Sequence, residues 1–233
     1  MNLKHLEQVL ETPYLGIVSF VRHGDKTKEG QLSEKGKEQA RKLGQKFKQI
    51  HKEGKVFLRS SSSDMDRAND TVKEIFSAEP KYNKPISKNM QVEPYFSNEI
   101  MEKYVKIMKE ESEVAGFDWF LNSSHGKDLA KHFSYILSSA SQDAKKITKK
   151  DLNFHYIHGT HEALPEALLK RVLIIKEGKS GFDSIDDIGG GLKLAEPINF
   201  ILGIDNKYKV EMRNKTYNVD MKALNDLASQ YTE

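Results

Sequence analysis

Cysteine is absent from the 233 residues, which excludes disulfides, thiolate catalysis and zinc held by cysteine. No apolar run approaches the roughly 18 residues that span a bilayer, and the opening MNLKHLEQVLE lacks the apolar stretch of a signal peptide. A cytoplasmic chain with no membrane partner is therefore expected. A block of charge of one sign is also missing. The 37 basic and 34 acidic residues are interspersed and leave a net charge of only +3, too even a balance to suggest a nucleic-acid partner. There is no internal repeat and no linker long enough to divide domains, so one domain over 1–233 is expected.

What is present reads as alternating strands and helices. A short amphipathic helix ends near Leu10, Pro13 breaks it, and the apolar run Leu15 to Val21 follows as a buried strand. Arg22-His23-Gly24-Asp25 stands directly after that strand, and Ser33 can cap a helix through Ala40, Leu43, Phe47 and Ile50. A second unit has Val56 to Leu58 as strand, Arg59 to Ser63 as loop, and a helix from Asp64 to Phe76. A third strand is expected over Leu152 to Ile157, with a helix from Pro165 to Lys170. Leu192 to Leu202 and Tyr208 to Met212 suggest a hairpin around Asp205-Asn206, and Met221 to Tyr231 a closing helix. The stretch 98–149 is helical in character and is expected to be a cap. The fold class is α/β: a three-layer α/β/α sandwich with a mostly parallel central sheet.

In such sheets ligands sit beyond the carboxyl ends of the strands, where loops and helix N-termini converge. Those ends carry Arg22 and His23, then Ser63 and Arg67, then His158 and Gly159. Two arginines and two histidines gathered at one point are costly unless an anion joins them, and a phosphoryl group matches paired guanidinium donors. A neutral imidazole is a sound nucleophile near pH 7, and transfer through a phosphohistidine splits one difficult step into two. The leaving oxygen then needs a carboxylic acid, for which Glu99 and Glu93 are the candidates.

Val21-Arg22-His23-Gly24, Leu32-Ser33-Glu34-Lys35-Gly36 with Gln39-Ala40, Ser62-Ser63-Asp64-Met65-Asp66-Arg67-Ala68 with Thr71, and His158-Gly159 together resemble, in order and spacing, the motifs of the histidine phosphatase superfamily, the phosphoglycerate mutase-like proteins. The resemblance runs from Leu15 to Leu169 and is weakest between Asn98 and Lys149. It implies that His23 is the phosphorylated histidine and that Arg22 and Arg67, with Gly24 and Gly159, hold the phosphate. It further implies that His158 is a second donor and that Glu99 is the acid. Glu162 is a third candidate for that acid, after the acid-phosphatase branch. The segment after Gly24 lacks the tryptophan- and asparagine-rich pattern of a phosphoglycerate mutase, and Asp25 and Lys26 replace the commoner Glu and Ser or Thr.

The expected function is a phosphatase that hydrolyses a phosphorylated small molecule or phosphoprotein, without metal or other cofactor. Its rivals are a non-catalytic phospho-ligand or protein-binding module and a phosphotransferase or mutase. His155, His158 and His161 recur every third residue and invite a metal reading, but on a strand the first two point to opposite faces, and no HExxH helix is present. His161 could line the pocket. Gly189 to Gly191 precede a β-type run and read as a turn.

Overall fold

In chain order the elements are α1 (Leu3–Leu10), β1 (Tyr14–Arg22), α2 (Glu34–Ile50), β2 (Val56–Ser63), α3 (Asp66–Ser77), β3 (Ser87–Met90), α4 (Asn98–Glu110), α5 (Glu113–Asn122) and α6 (Ser124–Thr148). They continue with β4 (Asn153–Thr160), α7 (Leu164–Val172), β5 (Leu173–Ile174), β6 (Pro197–Gly203), β7 (Tyr208–Met212), β8 (Lys215–Val219) and α8 (Met221–Ser229). The computed structural model describes residues 3–51, 56–77, 87–90, 97–149 and 152–231. Among them no helix is long and apolar enough to cross a membrane.

The chain forms two compact units, one of residues 1–91, 139–161 and 193–216, the other of 92–138, 162–192 and 217–233. In the first unit the strand order is β3-β2-β4-β1-β6-β7. β3, β2, β4 and β1 run parallel, while β6 and β7 are antiparallel additions at the β1 side. β1 is buried through its middle, the pattern of a strand covered on both faces. On one face α2 packs Ala40, Leu43, Phe47 and Ile50, spaced for one helical stripe, against Ile17, Val21 and Ile157. On the other, Phe20 meets Phe200 edge-on at 5.7 Å, and Phe200 meets Tyr208 at 6.1 Å. Helices α2 and α3 touch at Gly44, where a Cβ would come within 2.2 Å of the Ile75 carbonyl oxygen. Only glycine allows that approach.

In the second unit α7 starts with proline in its first turn, as its fixed φ favours, and β5 pairs antiparallel with β8 through Leu173 and Val219. The Asp118 carboxylate of α5 accepts from Ser184 Oγ at 2.8 Å and from the Ile185 amide at 2.9 Å, fixing the short 3-10 turn Ile185–Ile188.

Two strands run further than their sequence suggests. Arg59 to Ser63, expected as loop, belong to β2, and β4 continues past Ile157 to Thr160. The serines and His158 carry no apolar signal because they satisfy one another: Ser61 lies opposite His158 in the ladder, and their side chains bond at 2.7 Å. In contrast, residues 192–196 turn before β6 begins at Pro197, with Ala195 in the left-handed region at φ 54°.

A buried polar chain crosses the same sheet. Ser19 Oγ donates to Asn199 Oδ1 at 2.6 Å, so toward His155 Nε2, at 2.8 Å, it accepts. His155 Nδ1 therefore accepts from His51 Nε2 at 2.7 Å, and Asn199 Nδ2 donates to Glu211 at 2.8 Å. Burial holds His155 neutral and raises the pKa of Glu211.

Gly44→Ala should cost about 1–3 kcal/mol, because the overpacked methyl must separate α2 from α3. Urea denaturation should show a lower midpoint with an unchanged slope.

Candidate active site

Strand β1 delivers Arg22 as its last residue and His23 just beyond. The His23 amide donates to the Thr160 carbonyl at 2.9 Å, and the His23 carbonyl accepts from the Ala195 amide at 3.3 Å, so the nucleophile candidate sits on an anchored backbone. Gly24 follows where a Cβ would come within 2.5 Å of the Gly36 carbonyl oxygen, and its amide donates to Thr71 Oγ1 at 3.1 Å. The first turn of α2 and the body of α3 thus close on this residue.

The His23 ring is 5% exposed, and its Nδ1 lies 2.7 Å from the Gly24 carbonyl oxygen. A carbonyl only accepts, so Nδ1 carries the proton and Nε2 presents the lone pair. The His23 pKa is lowered to about 4. Burial is the main cause, and the charges of Arg67, Arg22 and Lys26 add to it against the opposing Gly24 hydrogen bond. At neutral pH this ring is uncharged, with its lone pair on Nε2.

Arg67 comes from the first turn of α3, where its carbonyl accepts from the same Thr71 hydroxyl, at 2.7 Å, that holds Gly24. Its guanidinium is half-buried, and Nε has no hydrogen-bond partner among the described residues. Burial lowers its pKa, yet an arginine stays charged. The Thr160 hydroxyl is likewise buried and without a hydrogen-bond partner among the described residues.

The second histidine beside His23 is His161. The two ring centroids are 5.1 Å apart. His161 Nε2 lies 2.8 Å from Ser63 Oγ, and Nδ1 faces Arg67 Nη2 at 3.5 Å. Because the guanidinium only donates, Nδ1 holds the lone pair and Nε2–H points to Ser63. Burial pushes the His161 pKa well below its ordinary value, helped by Arg67, His23, His158 and Arg22. His158 is fully buried in β4, with Nδ1 on Ser61 Oγ and its ring edge-on to Phe20 at 5.8 Å. Register explains the difference: Phe20 pairs with His158, whereas Arg22 pairs with Thr160, so the first residue past the ladder on β4 is His161.

Gly159 lies within β4 and packs on α3, where a Cβ would meet the Ala68 carbonyl oxygen at 2.5 Å. In the second unit Glu99 is an exposed residue in the first turn of α4, and Glu162 is half-buried. Glu93 lies outside the described residues. Ala163, next to Glu162, takes φ 67°, a left-handed conformation that costs a non-glycine residue about 1–3 kcal/mol. Among the described residues no three His, Cys, Asp or Glu side chains are grouped to hold a metal. The main charge effects on the His23 ring come from Arg67, Arg22 and Lys26, all cationic, a surrounding that favours an anion.

Residues 18–93 match the profile of the histidine phosphatase superfamily (branch 1). No curated protein matches the chain. Solved structures similar to it include phosphoglycerate mutase from Bacillus anthracis, 17% identical, with a TM-score of 0.49 over 93% of this chain and 99% of that one. Another is a mycobacterial glucosyl-3-phosphoglycerate phosphatase with VO3, 14% identical, with a TM-score of 0.47 over 85% and 98%. A third is phosphoglycerate mutase from Plasmodium falciparum, 17% identical, with a TM-score of 0.41 over 85% and 91%. The matched segment, about a third of the chain, holds Arg22, His23, Ser63 and Arg67, and over it the chain is similar to the histidine phosphatase superfamily.

Proposed function

We propose that the protein hydrolyses a phosphomonoester through a phosphohistidine on His23, with arginine rather than metal neutralising the phosphoryl oxygens. The observation that carries this reading is the Nδ1–H bond from His23 to the Gly24 carbonyl, which leaves Nε2 as a lone pair beside Arg22 and Arg67. In the first step Nε2 attacks phosphorus, the ester P–O bond breaks, and the leaving oxygen takes a proton from a carboxylic acid. In the second, water attacks phosphorus, gives its proton to the same carboxylate, and the P–N bond breaks to release phosphate and neutral His23. Arg22 and Arg67 hold the phosphoryl oxygens in both steps. His161 takes the second-donor role expected of His158: as negative charge grows on the phosphoryl group its ring becomes a better proton acceptor, and a protonated ring donates from both nitrogens. We assign the proton donor to Glu162, one peptide bond from His161, in place of Glu99.

His23→Ala should lower kcat/KM at least about a thousandfold, and radiolabelled phosphate from phenyl phosphate should be trapped on the native protein and not on the variant. Full turnover by His23→Ala would overturn the mechanism. Native protein that binds phosphate without turnover would mark a binding module, and transfer to an added alcohol at the expense of phosphate release would mark a phosphotransferase.

Glu162→Gln should cost roughly a hundredfold with an alkyl phosphate, whose leaving group needs a proton, and little with 4-nitrophenyl phosphate, whose leaving group does not. The same pattern in Glu99→Gln instead would move the donor to α4.

His23 should titrate near 4 by NMR rather than at 6.5. With the folded pKa below the unfolded one, its neutral form contributes stability that is fully present above pH 6.5 and is lost as pH falls through about 4. Inorganic phosphate should raise that pKa, since the bound anion favours the imidazolium.

A further inference from the structure

Past Glu162 the chain turns sharply into α7. Ala163 makes that turn in the left-handed region at φ 67°, is buried, and opens the helix with no side chain able to cap it. Such strain in a non-glycine residue persists only where the surroundings over-determine it. Beside the turn runs the glycine loop that follows the 3-10 turn Ile185–Ile188. Gly189 and Gly190 take φ 84° and 86°, and their amides donate to the Asp186 and Ile185 carbonyls at 2.9 and 3.0 Å. The Asp118 carboxylate, on the Ile185 amide, fixes the turn beneath them. That secures one end of the loop.

The other end is held by α7. Glu166, in the first turn of that helix and 1% exposed, accepts from the buried Leu192 amide through Oε1 at 2.7 Å. Between the two anchors lies Gly191, where a Cβ would come within 3.0 Å of Glu162 Oε1 and 2.4 Å of Phe117 Cζ. The loop is therefore seated against the Glu162 carboxyl, with room for only a glycine between that group and the Phe117 ring. One short segment presents Glu162 just before α7 and, with Glu166, grips the loop on which Glu162 rests.

We propose that Glu166 is a positioning residue for the Glu162 carboxyl: by taking the Leu192 amide it keeps Gly191 against Glu162 and fixes where that carboxyl stands. The inference rests on the assignment of Glu162 as proton donor above and adds the group that orients it. A proton donor must lie within hydrogen-bond reach of the leaving oxygen, and misplacement by about 1 Å can cost roughly a hundredfold. Without Glu166 the buried Leu192 amide loses this acceptor, and lifting the loop toward water is what restores one.

The test compares glycerol 2-phosphate, whose leaving alkoxide needs a proton, with 4-nitrophenyl phosphate, whose leaving phenolate does not. Glu166→Leu should lower kcat/KM about tenfold for the first and leave the second nearly unchanged. Glu166→Gln, which keeps an acceptor oxygen for Leu192, should retain most of the native ratio. Gly191→Ala, whose methyl enters between Glu162 and Phe117, should reproduce the selective loss with Glu166 intact. Both esters are read on one preparation, so the folded fraction cancels and a merely structural role would move the two rates together. An equal fall in both esters or in neither with Glu166→Leu, a selective loss as large in Glu166→Gln, or an unchanged ratio in Gly191→Ala overturns the proposal. The donor assignment is decided separately, by Glu162→Gln on the same pair. If that variant shows no selective loss, or native protein turns over neither ester, the seating is read by NMR instead. A nuclear Overhauser contact between the Gly191 α protons and the Glu162 γ protons should be present in native protein and Glu166→Gln and lost in Glu166→Leu. Its survival in Glu166→Leu overturns the proposal.

Discussion

The parallel pairing of β1 with β4 is the constraint on which the site depends. Arg22 lies opposite Thr160, and the ladder gains one more rung when the His23 amide donates to the Thr160 carbonyl. That rung ends both strands at the same level, so the next side chain of each, His23 and His161, emerges there with the rings 5.1 Å apart. A one-residue slip of β4 would turn the His161 side chain to the face opposite His23. The arginines inherit their places from the same frame, Arg22 as the last strand residue and Arg67 through the Thr71 hydroxyl, which bonds to both the Gly24 amide and the Arg67 carbonyl.

Charge inside this frame is arranged by subtraction. Burial and neighbouring cations strip the protons from His23 and His161, while the guanidinium groups cannot lose theirs. The result is a pair of uncharged rings near permanent cations, with ring lone pairs and positive charge carried by different residues. The buried Nε of Arg67 has no hydrogen-bond partner among the described residues, and in the proposed reaction a bound phosphoryl group supplies both that partner and the missing negative charge.

Much of this was legible in the sequence, for identifiable reasons. The apolar run ending at Val21 marked β1, so the placement of Arg22 and His23 at its end followed directly. The spacing from Ser63 to Arg67 carried the second arginine onto the first turn of α3. Strand lengths were harder to read. Ser61 and His158 satisfy each other across the ladder, which makes polar residues behave as interior ones and hides the last turns of both strands from any hydrophobic pattern. Because β4 runs three residues further than its apolar stretch, the histidine at the strand end is His161 and not the one in the His-Gly pair. The sequence allowed His161 to line the pocket, and the Arg22 register along β4 is what places it at the strand end. The strain at Ala163 and the close approach of Gly44 to Ile75 belong to backbone geometry that no single-sequence pattern encodes.

The polar chain through the sheet, from His51 through His155, Ser19 and Asn199 to Glu211, has every donor facing the same way. Such a row possesses a parity. Each interior member must give once and take once, and the only ends that terminate it are a ring able to give at one side and a carboxylate able to take at the other. Replacing one member by a side chain of the wrong parity frustrates its neighbours on both sides, and no local rotation repairs it. Sequence change in this part of the sheet is therefore expected to come in sets, with His155, Ser19, Asn199 and Glu211 kept together or exchanged together for apolar residues, as a single inherited unit spread over four strands.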